Sequence, residues 1–141
     1  MEISLQPSPE KAKRLLEQCG LPFSDINTDQ FENFLYLGTP DNPSGLVGLE
    51  MFAPVALLRS LAVSQNERGK GYGRFLVFAA EELAERRNIS KIYLLTQTAE
   101  LFFKNLNYHS IPRQFAPDSI RNTGEFSGVC SESAVLMTKQ L

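Results

Sequence analysis

Two cysteines, one histidine and no long apolar run leave this 141-residue chain little access to several common chemistries. Cys19 and Cys130 lie far apart and form no metal-ligand spacing. The single histidine, His109, stands in a segment that reads as a strand, with no cysteine next to it in sequence. A histidine-assisted thiol nucleophile at Cys130 therefore lacks support, and a packing cysteine is the expectation there. Fourteen basic against sixteen acidic residues give a net charge of −2, which carries no nucleic-acid footprint. No apolar run reaches membrane-spanning length, and Met1-Glu2-Ile3-Ser4 lacks the basic-then-apolar order of a signal peptide. These absences set the expectations of a cytoplasmic, reduced protein, no metal, no nucleic acid and no membrane.

What is present suits one domain over residues 1–141, with a hydrophobic fraction of 43% for its core. No internal repeat or low-complexity segment interrupts it. A short strand at residues 3–6 precedes a helix with Ser8 as N-cap and Pro9 at its first position, closed by Gly20. Residues 22–30 read as a polar, turn-rich link. Residues 34–37 form a strand, 39–45 a hairpin turn, and 46–52 and 55–63 two more strands. Tyr72, Leu76, Ala79, Ala80 and Leu83 recur at helical spacing, which leaves Glu81, Glu82, Glu85 and Arg86 for a solvated face. A strand at 91–96, apolar enough to be buried on both faces, leads to a short helix at 99–105. Asn107 is suited to the left-handed conformation that ends such a helix. Strands at 108–113 and 134–138 follow, with a helical turn within 117–126. Hairpins first and helical crossovers later imply an α/β (α+β) fold with a mixed sheet of six to seven strands and three to four helices.

The most informative stretch is Leu57-Leu58-Arg59-Ser60-Leu61-Ala62-Val63, followed by Arg68-Gly69-Lys70-Gly71-Tyr72-Gly73. A strand passes through a turn into a glycine-spaced basic loop that opens a helix. That order leaves backbone N–H groups at a helix N-terminus, where the dipole favours an anion. The glycines remove side chains that would block a phosphate. A Walker A loop needs Ser or Thr after Gly-Lys, and Gly71 stands there. A dinucleotide fingerprint fits neither glycine frame. Arg68-x-x-Gly71-x-Gly73 resembles instead the pyrophosphate loop of the GNAT superfamily of N-acetyltransferases. The run Ala99-Glu100-Leu101-Phe102-Phe103-Lys104-Asn105-Leu106-Asn107-Tyr108 is similar to a second segment of that superfamily, with Phe103 where tyrosine is frequent. Leu94-Leu95-Thr96-Gln97-Thr98-Ala99 and a tail from Glu125 through Cys130, Ser133 and Ala134 to Met137 resemble two subgroups, and the Leu57–Val63 run resembles the first of them. These are the small arsenic-resistance N-acetyltransferases and the N-acetylglutamate synthase-like domains.

The resemblance implies acetyl-CoA as cosubstrate, lying where the sheet splays between its fourth and fifth strands. It places pantetheine along Leu61, Ala62 and Val63, and pyrophosphate on Arg68, Gly69, Lys70, Gly71, Tyr72 and Gly73. Lys70 is equally readable as a surface lysine. The implied acceptor is the primary amine of a small molecule, an amino acid or an analogue; a homodimer is left open. The alternative is a non-catalytic acyl-CoA-binding module that regulates a partner. Phe103 has no proton to give the leaving thiolate. Glu50 is the candidate base, or else a surface glutamate. Arg59 and Ser60 flank the expected acetyl site. A buried arginine needs a partner, so Arg59 either meets a substrate carboxylate or makes an internal ion pair, with Glu50 a candidate. Ser133 is a further substrate-side candidate, or a hydroxyl that satisfies backbone groups.

Overall fold

A computed structural model describes residues 2–129 and 132–141. Its strands are β1 (Ile3–Leu5), β2 (Phe34–Thr39), β3 (Asn42–Phe52), β4 (Val55–Val63), β5 (Lys91–Thr96), β6 (His109–Ile111) and β7 (Val135–Gln140). Among the described residues they form one seven-stranded sheet in the order β1-β2-β3-β4-β5-β7-β6. All neighbours are antiparallel except β4 and β5, which run parallel. The helices are α1 (Pro9–Gln18), α2 (Tyr72–Arg86), α3 (Glu100–Lys104) and α4 (Asp118–Arg121). The expected order of elements holds, and α4 is the helical turn before the last strand.

The strands alternate their side chains between two covered faces. On one face Leu35, Leu37, Val47, Leu49 and Leu58 pack with Leu76, Val77, Ala80 and Leu83 of α2. On the other, Phe34, Tyr36 and Leu46 pack with Ala12, Leu15 and Leu16 of α1. The α4 segment covers the far end of the sheet, where Ile120 and Ala116 meet Leu57, Tyr93 and Leu136. Gly48 lies opposite Phe34, whose ring fills the space a side chain there would need. Residues such as Leu76, with no exposed surface, each contribute about 2–5 kcal/mol by the measure of truncation to alanine.

Local signals explain the ends of the elements. The Ser8 side chain accepts from the Lys11 N–H, and the chain leaves α1 through Gly20 at φ 69°. Asn107 takes φ 74° after α3, as its residue type predicts. Three expectations change. The β2–β3 turn contracts to Pro40 and Asp41, because the Asn42 N–H donates to Thr39 Oγ1 at 3.1 Å and pairing resumes at once. The polar link contains a 3-10 turn, Thr28–Asn33, held by a reciprocal cap between Asn27 and Gln30. Glu81 is buried rather than solvated: its carboxylate accepts from the Tyr108 hydroxyl at 2.8 Å and from Lys139 Nζ at 3.0 Å.

Candidate functional site

β4 and β5 pair only at Val55–Lys91, Ala56–Ile92 and Leu57–Tyr93. Beyond Leu57 the strands diverge, which leaves the edge of β4 open on that side. A cleft of about 670 Å³ fills the splay, lined by Leu58, Arg59, Ser60 and Leu61 from β4 and by Leu94, Leu95 and Thr96 from β5. The divergence begins where β4 bulges. Arg59 pairs with Gly48 and Ala62 with Leu46, so β4 carries one more residue than β3 over this stretch. Ser60 absorbs it at φ 61°, a left-handed conformation that costs a non-glycine residue free energy. The bulge thus falls at Arg59, Ser60 and Leu61, which line the cleft.

The loop after β4 presents backbone. Gly69 and Gly71 adopt φ 80° and 85°, and a Cβ on either would meet no atom within 4 Å, so the space above them is open. Gly71 is the N-cap of α2 and offers no side-chain cap. Among the described residues, none of the N–H groups of residues 69–74 has a protein acceptor. They form a row of unsatisfied donors at a helix start, which fits an anionic diphosphate. Gly73 faces Phe102: a Cβ there would meet the ring at 3.4 Å, an ordinary contact. Arg68 turns back toward β4, where its Nε donates to the Val63 carbonyl at 3.0 Å and its Nη2 lies 3.7 Å from Cys19 Sγ. Lys70 is exposed and bonded to Glu67 at 2.9 Å; that hydrogen bond and the Glu67 charge raise its pKa.

Around Arg59 the cleft is made of side chains. Of the two readings open for Arg59, the internal ion pair is present. Its side chain has no exposed surface, and Nη1 and Nη2 grip Asp25 at 2.5 and 2.8 Å. Nη1 also donates to Glu50 at 2.9 Å, and Nε to Ser60 Oγ at 3.2 Å. Burial opposes the charge, but the Asp25 bond, the field of Glu125 and the Glu50 bond outweigh it, so the pKa of Arg59 is raised. Asp25 lies against Gly124, where a Cβ would fall 2.7 Å from Asp25 Cβ. The cluster therefore joins the segment after α1, the bulge of β4 and the turn after α4.

Glu50 thus touches Arg59 and is about 10% exposed. Phe103 is buried at the cleft wall, edge-on to Phe102 and Tyr108. Ser133 is exposed just before Ala134, which lines the cleft. His109 is exposed on β6, and Cys130 lies outside the described residues. Sequence reasoning missed Asp25 and Glu125. An arginine in an apolar strand does demand carboxylates, but Ser24-Asp25-Ile26 and Gly124-Glu125-Phe126 carry no pattern that nominates them. Among the described residues no group of three His, Cys, Asp or Glu is placed to hold a metal. No helix there is long and apolar enough to cross a membrane.

A parallel pair thus splays over a bulge, and a glycine cradle at a helix start follows it. The chain belongs to the acetyltransferase (GNAT) family, whose model matches residues 3–108. It is 36% identical over 66 residues to an uncharacterized N-acetyltransferase of Chlorobaculum tepidum, a stretch that is 47% of this chain and 42% of that protein. Its fold is similar to that of N-acetylglutamate synthase from Neisseria gonorrhoeae, solved with coenzyme A and N-acetyl-glutamate. The TM-score is 0.81 at 21% identity, over 99% of this chain and 35% of the synthase. Rv2747 from Mycobacterium tuberculosis, solved with CoA, matches at a TM-score of 0.79 and 14% identity, over 100% and 99% of the two chains. The chain thus corresponds to under half the length of the curated relative and of the synthase.

Proposed function

We propose that residues 1–141 form one N-acetyltransferase domain that moves the acetyl group of acetyl-CoA to the primary amine of a small molecule. The observation that carries this reading is the row of unsatisfied N–H groups at residues 69–74, in the loop that follows the splayed strand β4. The diphosphate takes those donors, and pantetheine lies along the open edge at Leu61, Ala62 and Val63, much as an added strand joins a sheet. Pantetheine and Arg68 then share the Val63 carbonyl region, so Arg68 is placed to move toward the phosphates.

In the transfer the amine nitrogen bonds to the acetyl carbon, the carbon–sulfur bond breaks, and CoA leaves as the thiol. A backbone N–H at the bulge would polarise the carbonyl. Glu50 would accept the amine's proton through water, because its carboxylate engages Arg59. Phe103 supplies no acid, so the departing sulfur takes its proton from water. Arg59 was expected to bring an amino-acid acceptor by its carboxylate. With Asp25 and Glu50 already on the guanidinium, that support is gone, and a primary amine is as far as this site takes the acceptor class.

The test combines calorimetry of CoA binding with release of free thiol from acetyl-CoA across amino acids, aliphatic amines and aminoglycosides. CoA binding with amine-dependent thiol release is the expected result. CoA binding without release for any amine would favour the acyl-CoA-binding module. No CoA binding would overturn both.

A further inference from the structure

The bulge in β4 needs support from its surroundings. Ser60 holds φ 61° without being glycine, and a strained backbone persists only where neighbouring groups over-determine it. The neighbouring group is the Arg59 guanidinium, whose Nε donates to Ser60 Oγ at 3.2 Å. Its Nη1 and Nη2 hold the two carboxylate oxygens of Asp25, and Nη1 also donates to Glu50 at 2.9 Å. The Arg59 side chain has no exposed surface, so water cannot replace a lost partner without opening the fold. A planar fork fixed on two carboxylates leaves Nε one direction, and that direction ends on Ser60. Glu50 belongs to β3, where Gly48 pairs with Arg59. Asp25 follows Cys19, Gly20, Leu21 and Pro22, which line the cleft together with the bulge. One cation thus ties the strained residue to the adjacent strand and to the link after α1.

We propose that Arg59, locked by Asp25 and Glu50, is a positioning residue: it holds the Ser60 bulge so that a backbone N–H there meets the thioester carbonyl during transfer. The proposal rests on the N-acetyltransferase reading and adds to it a role for Arg59, which acts on the main chain of the site and not on the acceptor. Asp25 acts only through the guanidinium. Donors aimed at a developing oxyanion work only at the right distance, and a displacement of about 1 Å at a reacting centre costs about 100-fold in rate. Loss of the tether should therefore appear in kcat. CoA affinity should not change, because the donors of residues 69–74 belong to the loop and not to the Arg59 cluster.

Two variants separate positioning from stability alone. Arg59→Lys keeps a cation between Asp25 and Glu50 but has no Nε to hold Ser60. Ser60→Gly removes the tethered hydroxyl and takes φ 61° without strain, so it keeps the test available if the lysine variant fails to fold. Each should lower kcat for thiol release about 10- to 100-fold at unchanged CoA affinity, measured with whichever amino acid, aliphatic amine or aminoglycoside the wild type acetylates fastest. Ser60→Gly should do so with a denaturant midpoint at or above that of the wild type. In crystal structures of the CoA complexes, the backbone of residues 59–61 should shift by about 1 Å in Arg59→Lys. Wild-type kcat in either folded variant would overturn the proposal, as would a bulge that Arg59→Lys leaves in place. The two readings fail separately. If the wild type releases no thiol with any amine, the transferase reading falls, and the position of residues 59–61 in Arg59→Lys still decides whether Arg59 holds the bulge. If wild type and variants release thiol alike, the transferase reading stands and the positioning role falls.

Discussion

At residues 69–74 the start of α2 offers backbone N–H groups that need no particular side chain; around Arg59 the cleft offers charged side chains from separated stretches of chain. The first end works by what the glycines leave out. The second works by what Asp25, Glu50 and Glu125 bring together. A ligand common to a whole family can be held by main chain, which tolerates changes of side chain. An acceptor particular to one member has to be met by side chains. The two ends should accordingly fail in different ways when each is damaged.

The largest expected effect is at the side-chain end. Arg59→Ala would leave Asp25 and Glu50 facing each other with no cation between them. Stranding buried carboxylates costs roughly 3–5 kcal/mol of stability. Denaturant unfolding should show that loss, and adding Asp25→Asn and Glu50→Gln to the variant should recover much of it, as expected for groups that act as one unit. A loss below about 1 kcal/mol would mean that the cluster is solvated and that its charges do not govern the cleft.

At the backbone end the expected loss is of binding. Gly71→Glu sets a carboxylate beside the donors meant for a diphosphate, and like charge so close costs several kcal/mol. CoA affinity should fall about 100-fold or more by calorimetry. The fold should persist by circular dichroism, less the ~1–2 kcal/mol that a side chain pays at a left-handed φ of 85°. Unaltered CoA affinity would remove the loop from the site and erase the contrast between the two ends.

That contrast also explains which parts of the site were legible in the sequence. Arg68-x-x-Gly71-x-Gly73 could be read because glycine spacing is local and its consequence is backbone geometry. The strand order and the splay could be read because apolar runs, hairpin turns and helical crossovers constrain topology strongly. The ion pair could be foreseen only as a demand of Arg59 for a carboxylate; Asp25 is brought to it by the packing of Gly124. The bulge had no signal at all, because Ser60 stands where glycine would have marked the positive φ. Glu81 misled for a related reason. Beside Glu82 and Glu85 it matches a solvated helix face, and only the approach of β6 and β7 buries it.

Glu81 supplies the smallest and most selective test, because its cluster is charged and buried yet does not line the cleft. The Tyr108 hydroxyl donates to Glu81 Oε2 at 2.8 Å, beside Lys139 Nζ at 3.0 Å. Burial raises the Tyr108 pKa above its ordinary value near 10, and the charge and hydrogen bond of Glu81 raise it further. The folded state therefore keeps its phenolic proton after the unfolded chain has begun to lose its own. Stability from this group is whole below about pH 10 and declines above it, because the unfolded chain then binds fewer protons than the folded one. Tyr108→Phe should cost about 1–2 kcal/mol at pH 7 for the lost bond to a charged group. It should also flatten the alkaline decline measured by denaturant midpoints between pH 8 and pH 11. At pH 7 its CoA affinity and its amine-dependent thiol release should equal those of the wild type. A change in either would show that buried charge outside the cleft reaches the site, and would blur the contrast between its two ends.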